Sequence, residues 1–195
     1  KKGVKPYYFQ MDVCDGDILV FNGLKKEYDV IFTGSYLSQG NRIEYLKKIN
    51  KVIPVTIFSW NAEEWHKAGF EECYPAVYGE EYNRIIAKSK IVLGFSVEPN
   101  CWGYWSNRVG KVLWAGGNLL QEYAPGMETQ LPECVQYFNS PEEAIEKIKD
   151  KLESPVICQQ DHTQFTSYWK MLQLTTLMER YLKGEPQKWN QVPTI

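Results

Sequence analysis

The feature that most constrains this 195-residue chain is an alternation of short apolar runs with segments of helical period, repeated along most of its length. The run YDVIFTGSY at 28–36 is β-branched and aromatic and ends in Gly-Ser, and the following GNRIEYLKKI places Ile43, Leu46 and Ile49 at helical spacing. VIPVTIFSW at 52–60 is a second apolar run, in which Pro54 lacks a donor N–H and confines the segment to a strand beginning or an edge. GEEYNRIIAKS reads as a helix, with Glu80 and Glu81 in its first turn and Lys88 near its end, both signs matching the helix dipole. KIVLGFS at 90–96 returns as a buried strand. After a loop, SNRVGKVLWAGG at 106–117 has helical period, NLLQEY and CVQYFN read as strands, and SPEEAIEKIKDKLES reads as a helix with Ser140 as N-cap and Pro141 at its first position. A last helix is expected over 165–182. Strands that alternate with helices in this way imply an α/β fold. Strands near 29–34, 53–58, 90–95, 118–122 and 134–138 should share one mainly parallel sheet, covered on both faces.

Composition narrows the functional classes. A chain of this length with 44% hydrophobic residues can bury a sizeable core, and one compact domain is expected. A net charge of −2 and a pI near 5.8 leave no global footprint for nucleic acid or an anionic membrane. Cys14, Cys73, Cys101, Cys134 and Cys158 form no C-x-x-C pair, and their odd number argues against a closed disulfide framework, which points to a reducing, cytoplasmic setting. The cysteines and the histidines His66 and His162 lack metal-ligand spacing, so neither a metal nor another cofactor is expected. No apolar run reaches the roughly 18 residues of a membrane span, and no transmembrane segment is predicted. The opening Lys-Lys suggests a piece of a longer protein.

In a parallel sheet of this kind ligands bind beyond the carboxyl ends of the strands, and three loops there carry suitable chemistry. In TGSYLSQGNR at 33–42, Gly34 and Gly40 let backbone N–H groups approach an anion, with Ser35 beside them. In AVYGEEY at 76–82, Tyr78 and Gly79 precede a helix and could line a flat base. In the segment from residue 106, Ser106 is a candidate N-cap, and the N–H groups of Asn107 and its neighbours, with Arg108 beside them, form an anion site of the kind that holds phosphate. On this helix Trp105, Val109, Val112 and Leu113 share an apolar face, Arg108 flanks it and Lys111 points roughly away. Gly116 and Gly117 are first a helix C-cap and turn. Trp102, Tyr104 and Trp105 could stack on a sugar or base, or equally wall a partner domain. His66, between Trp65 and Lys67 in a loop or short helix, reads as exposed, and His162 as a cap or packing residue.

The blocks VYGEEYNRIIAKSKIVLGFS and YWSNRVGKVLWAGGNLLQEYAPGME resemble the C-terminal half of GT-B glycosyltransferases of the group 1 type, particularly the CgeB-like group. The matching pattern is a Tyr-Gly turn (Tyr78, Gly79), Ser-x-Arg (Ser106, Arg108), a helix ending Ala-x-Gly (Ala115 to Gly117), and Gly-Met-Glu (Gly126, Met127, Glu128) in place of Gly-Leu-Glu. More loosely it extends from Tyr28 to Leu182 and takes in Asp161, His162 and Thr163. The resemblance implies a Rossmann-like three-layer domain over 28–160, a linker-derived lead-in at 1–27, and a C-terminal helix and tail at 161–195 packed on it. It implies a nucleotide-sugar donor as ligand, an N-terminal half as partner and an acceptor of unknown identity. Arg108 takes the catalytic role of stabilising the leaving diphosphate. Gly34, Ser35, Tyr78, Gly79, Ser106, Asn107, Lys111, Gly117, Gly126, Met127 and Glu128 take donor-binding roles. One departure stands out: where such domains often carry a glutamate for the ribose hydroxyls, this chain has Lys111, which has donors but no acceptor. Either Glu128 or backbone carbonyls replace that carboxylate, or Lys111 meets the diphosphate, or donor binding is weakened. The competing class is a non-catalytic nucleotide-binding or interaction module. The expectation is that Gly34, Tyr78, Ser106, Arg108 and Glu128 line one cleft.

Overall fold

The computed structural model describes residues 23–38, 40–154 and 167–184. Six strands, β1 (Tyr28–Thr33), β2 (Thr56–Ser59), β3 (Cys73–Pro75), β4 (Ser89–Gly94), β5 (Leu119–Glu122) and β6 (Gln136–Phe138), form one sheet in the order β3-β2-β1-β4-β5-β6. Every pairing is parallel; Ile31 of β1, for example, lies in register with Thr56 on one side and Val92 on the other. The chain winds outward from β1 to β3, then returns to the other side of β1 and winds outward again to β6. The β1/β4 junction is therefore the point where connections to opposite faces diverge and open a crevice.

Five helices cover the sheet, α1 (Arg42–Asn50), α2 (Ala62–Lys67), α3 (Gly79–Ala87), α4 (Asn107–Trp114) and α5 (Pro141–Glu153), and a sixth, α6 (Ser167–Leu182), follows with Met171, Met178 and Leu182 exposed. Side chains alternate across the strands and supply two cores. Val30, Phe32, Ile57, Ile91, Leu93 and Leu120 pack with Leu46 and Ile49 of α1, Trp65 of α2 and Ile148 of α5. Ile31, Phe58, Val92 and Leu119 pack with Ile85 and Ile86 of α3 and Val109, Val112 and Leu113 of α4. These side chains are nearly or fully removed from water, and each such burial contributes roughly 1.5–3 kcal/mol before the entropy of ordering is subtracted. The structure is thus the α/β, Rossmann-like three-layer arrangement that the alternation of elements predicts.

Local details follow the sequence closely. Ser140 caps α5, its Oγ accepting from the Glu143 N–H at 3.1 Å, with Pro141 at the first helical position. Pro54 stands two residues ahead of β2, which lies inside the sheet between β3 and β1, so it marks a strand beginning and not an edge. His66 is exposed, and its Nδ1 lies 2.7 Å from the Phe70 carbonyl oxygen. The end of the expected lead-in is tied to the domain: Lys26 Nζ donates to the Ala87 carbonyl at 2.7 Å and the Glu27 N–H to that of Lys88 at 2.7 Å. Residues 1–22, and the motif at Asp161 to Thr163, lie outside the described residues.

One strand was not expected, and the segment around His66 is a short helix and not a loop. β3 is three residues of CYP at the sheet edge, too short to show a period of two, and α2 is a helix of six residues. A third difference concerns the thiols: Cys134 is disulfide-bonded, whereas Cys73 and Cys101 are free. An odd count of cysteines therefore did not exclude a cystine. No helix among the described residues is long and apolar enough to cross a membrane.

Candidate functional site

A cleft of about 270 Å³ opens over the carboxyl ends of β1, β2 and β3, bounded on one side by the start of α4. Its floor is the turn out of β1, where Thr33 is followed by Gly34 and Ser35. The Gly34 N–H continues the ladder by donating to the Phe58 carbonyl at 3.0 Å. The guanidinium of Arg108, on the first turn of α4, comes down onto this turn. A Cβ placed on Gly34 would lie 3.2 Å from both Arg108 Nη atoms and 2.7 Å from Phe32 Cζ. Only a residue without a side chain allows that approach. Gly79 opens α3 at φ 54°, a backbone conformation that side chains disfavour.

Of the sequence candidates, Gly34, Ser35, Tyr78, Gly79, Asn107, Arg108 and Lys111 line this cleft. Lys111 does so against the expectation that it points away: it is three residues on from Arg108, and residues at that spacing share a helix flank. The buried stripe of Val109, Val112 and Leu113 is as expected, so the two cations occupy the edge of that stripe nearest the strand ends. The rim contains aromatic rings: Trp60 and Tyr78 lie with centroids 5.3 Å apart and remain 76% and 57% exposed. Thr33 Oγ1 and the Tyr82 hydroxyl, 3.4 Å apart, supply neutral polar groups on the inner wall. Burial raises the Tyr82 hydroxyl above its usual pKa, against the opposing pull of Arg108.

The remaining candidates lie elsewhere. Ser106 occupies the N-cap position of α4 in extended backbone, but its hydroxyl caps nothing, and the residue does not line the cleft. Gly117 is a packing glycine: a Cβ there would sit 2.6 Å from Ile86 Cγ2 and 2.8 Å from Val112 Cγ1. Gly126, at φ 86°, is covered by the Trp102 indole, and Met127 is fully buried. Glu128 is exposed and engages the Tyr123 hydroxyl, a contact that holds that phenol above its ordinary pKa. The single cleft expected for Gly34, Tyr78, Ser106, Arg108 and Glu128 is therefore lined by Gly34, Tyr78 and Arg108 but not by Ser106 or Glu128. β5 and β6 lie on the far side of β4 from β1 to β3, and Ser106 stands just outside the helix whose next residues reach the cleft.

Two participants were missed. Trp60, directly after β2, carries no motif, and its only signal is a large aromatic at a strand end. Arg42, the first residue of α1, is 3% exposed. Its Nη1 donates to the Ser35 carbonyl at 3.2 Å, while its Nε has no partner. Its Cζ lies 5.6 Å from the Phe32 ring centroid and that of Arg108 lies 5.8 Å from it, so two cations share one buried ring. Burial, then repulsion from Arg108, lowers the Arg42 pKa to about 10, with Glu122 opposing. The arrangement concentrates positive charge at the crevice, a field suited to an anion bound against Gly34, Ser35 and the start of α4.

Comparison with known proteins places the fold of this chain among glycosyltransferases. The family described as glycosyl transferase-like matches residues 41–167. Solved structures with a similar fold include an α1,3-fucosyltransferase with GDP-fucose (TM-score 0.53, 17% identity, 67% of this chain and 36% of that one). AviGT4, a glycosyltransferase involved in avilamycin A biosynthesis, gives a TM-score of 0.59 at 13% identity over 86% of this chain and 55% of its own. The Anabaena protein Alr3699/HepE in complex with UDP-glucose gives 0.54 at 15% identity over 78% and 49%. The chain thus spans between about a third and a little over half of the structures it resembles. No curated protein sequence matches it.

Proposed function

The chain belongs to the glycosyl transferase-like family, and from that premise we propose that this domain holds the nucleotide-sugar donor of a glycosyl transfer. The observation that carries the reading is the charge of the cleft: Arg108 and Lys111 line it, no carboxylate does among the described residues, and an aromatic rim stands above them. The nucleoside base lies against Tyr78 and Trp60, where a flat ring gains stacking area. The diphosphate lies against Gly34, Ser35, Arg108 and the N–H groups at the start of α4, of which Asn107 is the first. As the bond from sugar to phosphate breaks, negative charge grows on the leaving nucleoside diphosphate. Arg108, already fixed beside Phe32 and Gly34, stabilises that charge without reorganising. Lys111, one turn further on, adds to the same field. The acceptor, and the N-terminal half that would present it, belong to this proposal as partners.

Calorimetric titration with UDP and GDP tests the reading. Arg108→Ala should weaken the diphosphate that binds by about 1.5–3 kcal/mol, the range for a hydrogen bond to a charged group, and should leave the uncharged nucleoside unchanged. Lys111→Glu should weaken the diphosphate alone. If it instead tightened nucleoside and diphosphate alike, Lys111 would face the ribose. An intact protein that bound neither diphosphate would refute donor binding and favour a non-catalytic interaction module.

A further inference from the structure

A second cavity, of about 570 Å³, lies over the carboxyl ends of β5 and β6 and the loop after β4, against the start of α1. Its character is the reverse of the first. Glu98 and Glu122 line it, with the amides of Asn41, Asn100 and Asn139, and no lysine or arginine does among the described residues. Glu122 is 3% exposed and rigidly held: Oε1 accepts from Asn41 Nδ2 at 3.1 Å and Oε2 from the Ser96 N–H at 3.2 Å. A carboxylate can accept about four hydrogen bonds, so acceptor positions remain on a buried group that borders an open cavity. Arg42 is repelled by Arg108 of the first cleft and attracted by Glu122 of the second cavity. A nucleotide sugar is divided in the same way, with its negative charge confined to the diphosphate and its other end an uncharged ring of hydroxyls.

We propose that this second cavity, on the donor-binding reading above, binds the hydroxyls of an uncharged pyranose, with Glu122 as the acceptor that receives them and Glu98 as a rim charge that turns away acidic sugars. A sulfate, phosphate or uronate is excluded, because its charge would meet two carboxylates and no lining cation. A metal ion is not the occupant suggested by the residues, since no group of three or more His, Cys, Asp or Glu side chains gathers among the described residues. The ring can arrive as the sugar of the donor or as that of the acceptor, and titration separates the two.

The probes are UDP, UDP-glucose, UDP-glucuronate and methyl α-glucoside, with GDP, GDP-mannose, GDP-mannuronate and methyl α-mannoside as the matched set if GDP is the diphosphate that binds. Wild type should bind the neutral nucleotide sugar at least tenfold more tightly than its uronate. Glu122→Gln should weaken the neutral nucleotide sugar five- to tenfold and leave the bare diphosphate unchanged, which assigns the cavity to the donor's ring. An effect on the methyl glycoside alone assigns it to the acceptor's ring. Glu98→Gln, at an exposed rim position, should narrow the preference over the uronate even if Glu122→Gln misfolds. Equal affinity of wild type and both variants for every sugar probe would overturn the inference while diphosphate binding stood. If no diphosphate bound, the donor reading would fall by itself, and the methyl glycoside titration would decide the cavity alone.

Discussion

Gly34→Ala tests the geometry on which the proposed donor site depends. The new methyl group would begin 2.7 Å from Phe32 Cζ, whereas carbon atoms rest at about 3.5–4.0 Å. One of them must therefore yield by roughly 0.8 Å or more. The Arg108 guanidinium, 3.2 Å away, is the end of a flexible side chain and can move aside. The ring cannot do so easily: Phe32 is fully buried and meets the rings of Trp65 and Phe95 edge-on, each at 5.7 Å. Overpacking at such a position typically costs about 1–3 kcal/mol, and a domain of this size loses about 2–4 °C per kcal/mol, so Tm should fall by about 2–12 °C. Displacement of Arg108 should also weaken the bound nucleoside diphosphate by roughly tenfold, the effect of one charge-assisted contact. Scanning calorimetry gives the first quantity and isothermal titration the second. A variant with unchanged Tm and unchanged affinity would show that the close approach of Gly34, Phe32 and Arg108 does not exist in solution.

The other predictions concern stability alone. Gly117→Ala places a methyl 2.6 Å from Ile86 Cγ2 and 2.9 Å from the Val112 carbonyl oxygen, so it should cost about 1–3 kcal/mol by thermal denaturation with nucleotide affinity unaltered; a loss of affinity without loss of stability would return Gly117 to the site. Lys151 is 3% exposed, its ammonium donates to the Asn118 Oδ1 at 2.6 Å, and burial lowers its pKa. The unfolded chain then binds the proton more strongly, so this group lowers stability below its folded pKa, and stability recovers as pH rises from there toward about 10.4, the unfolded value. Because the Asn118 Nδ2 is also buried without a partner, the double variant Lys151→Met, Asn118→Leu should match or exceed wild type in Tm near neutral pH and lose this part of the alkaline slope; a large drop in Tm would refute it.

The strand and helix alternation was legible because it rests on periodicity, which survives in any short window of sequence. Phe32 and Val30 face one core and Ile31 the other, so a run such as DVIFT announces a strand buried on both sides. The edge strand β3 is illegible and the short α2 ambiguous with a loop for the same reason, since neither is long enough to show a period. Glycines were legible as glycines but not by role. Gly34 makes room for a guanidinium, Gly117 for Ile86, and Gly126 for an indole, and sequence alone offers one residue type for all three. Arg42 was hidden because an arginine at the start of a helix normally reads as solvated; only the topology turns it inward beneath the crevice, onto the Phe32 ring.

The charge of α4 was read less well than its apolar face, and the correction alters what binding must rely on. With Lys111 in the cleft beside Arg108 and no carboxylate lining it among the described residues, the ribose diol of the proposed donor would meet only neutral acceptors, such as hydroxyls and backbone carbonyls. A neutral acceptor gives about half the strength of a charged one, whereas the two cations strengthen contact with the diphosphate. Affinity in such a site shifts from the nucleoside toward the phosphates. Arg42 and Arg108 repel one another across Phe32 when no anion is bound, and a bound diphosphate relieves that repulsion. The same anion would thus steady the turn at Ser35, whose carbonyl accepts from Arg42, and couple phosphate binding to the start of α1, where Asn41 holds Glu122 at the edge of the second cavity.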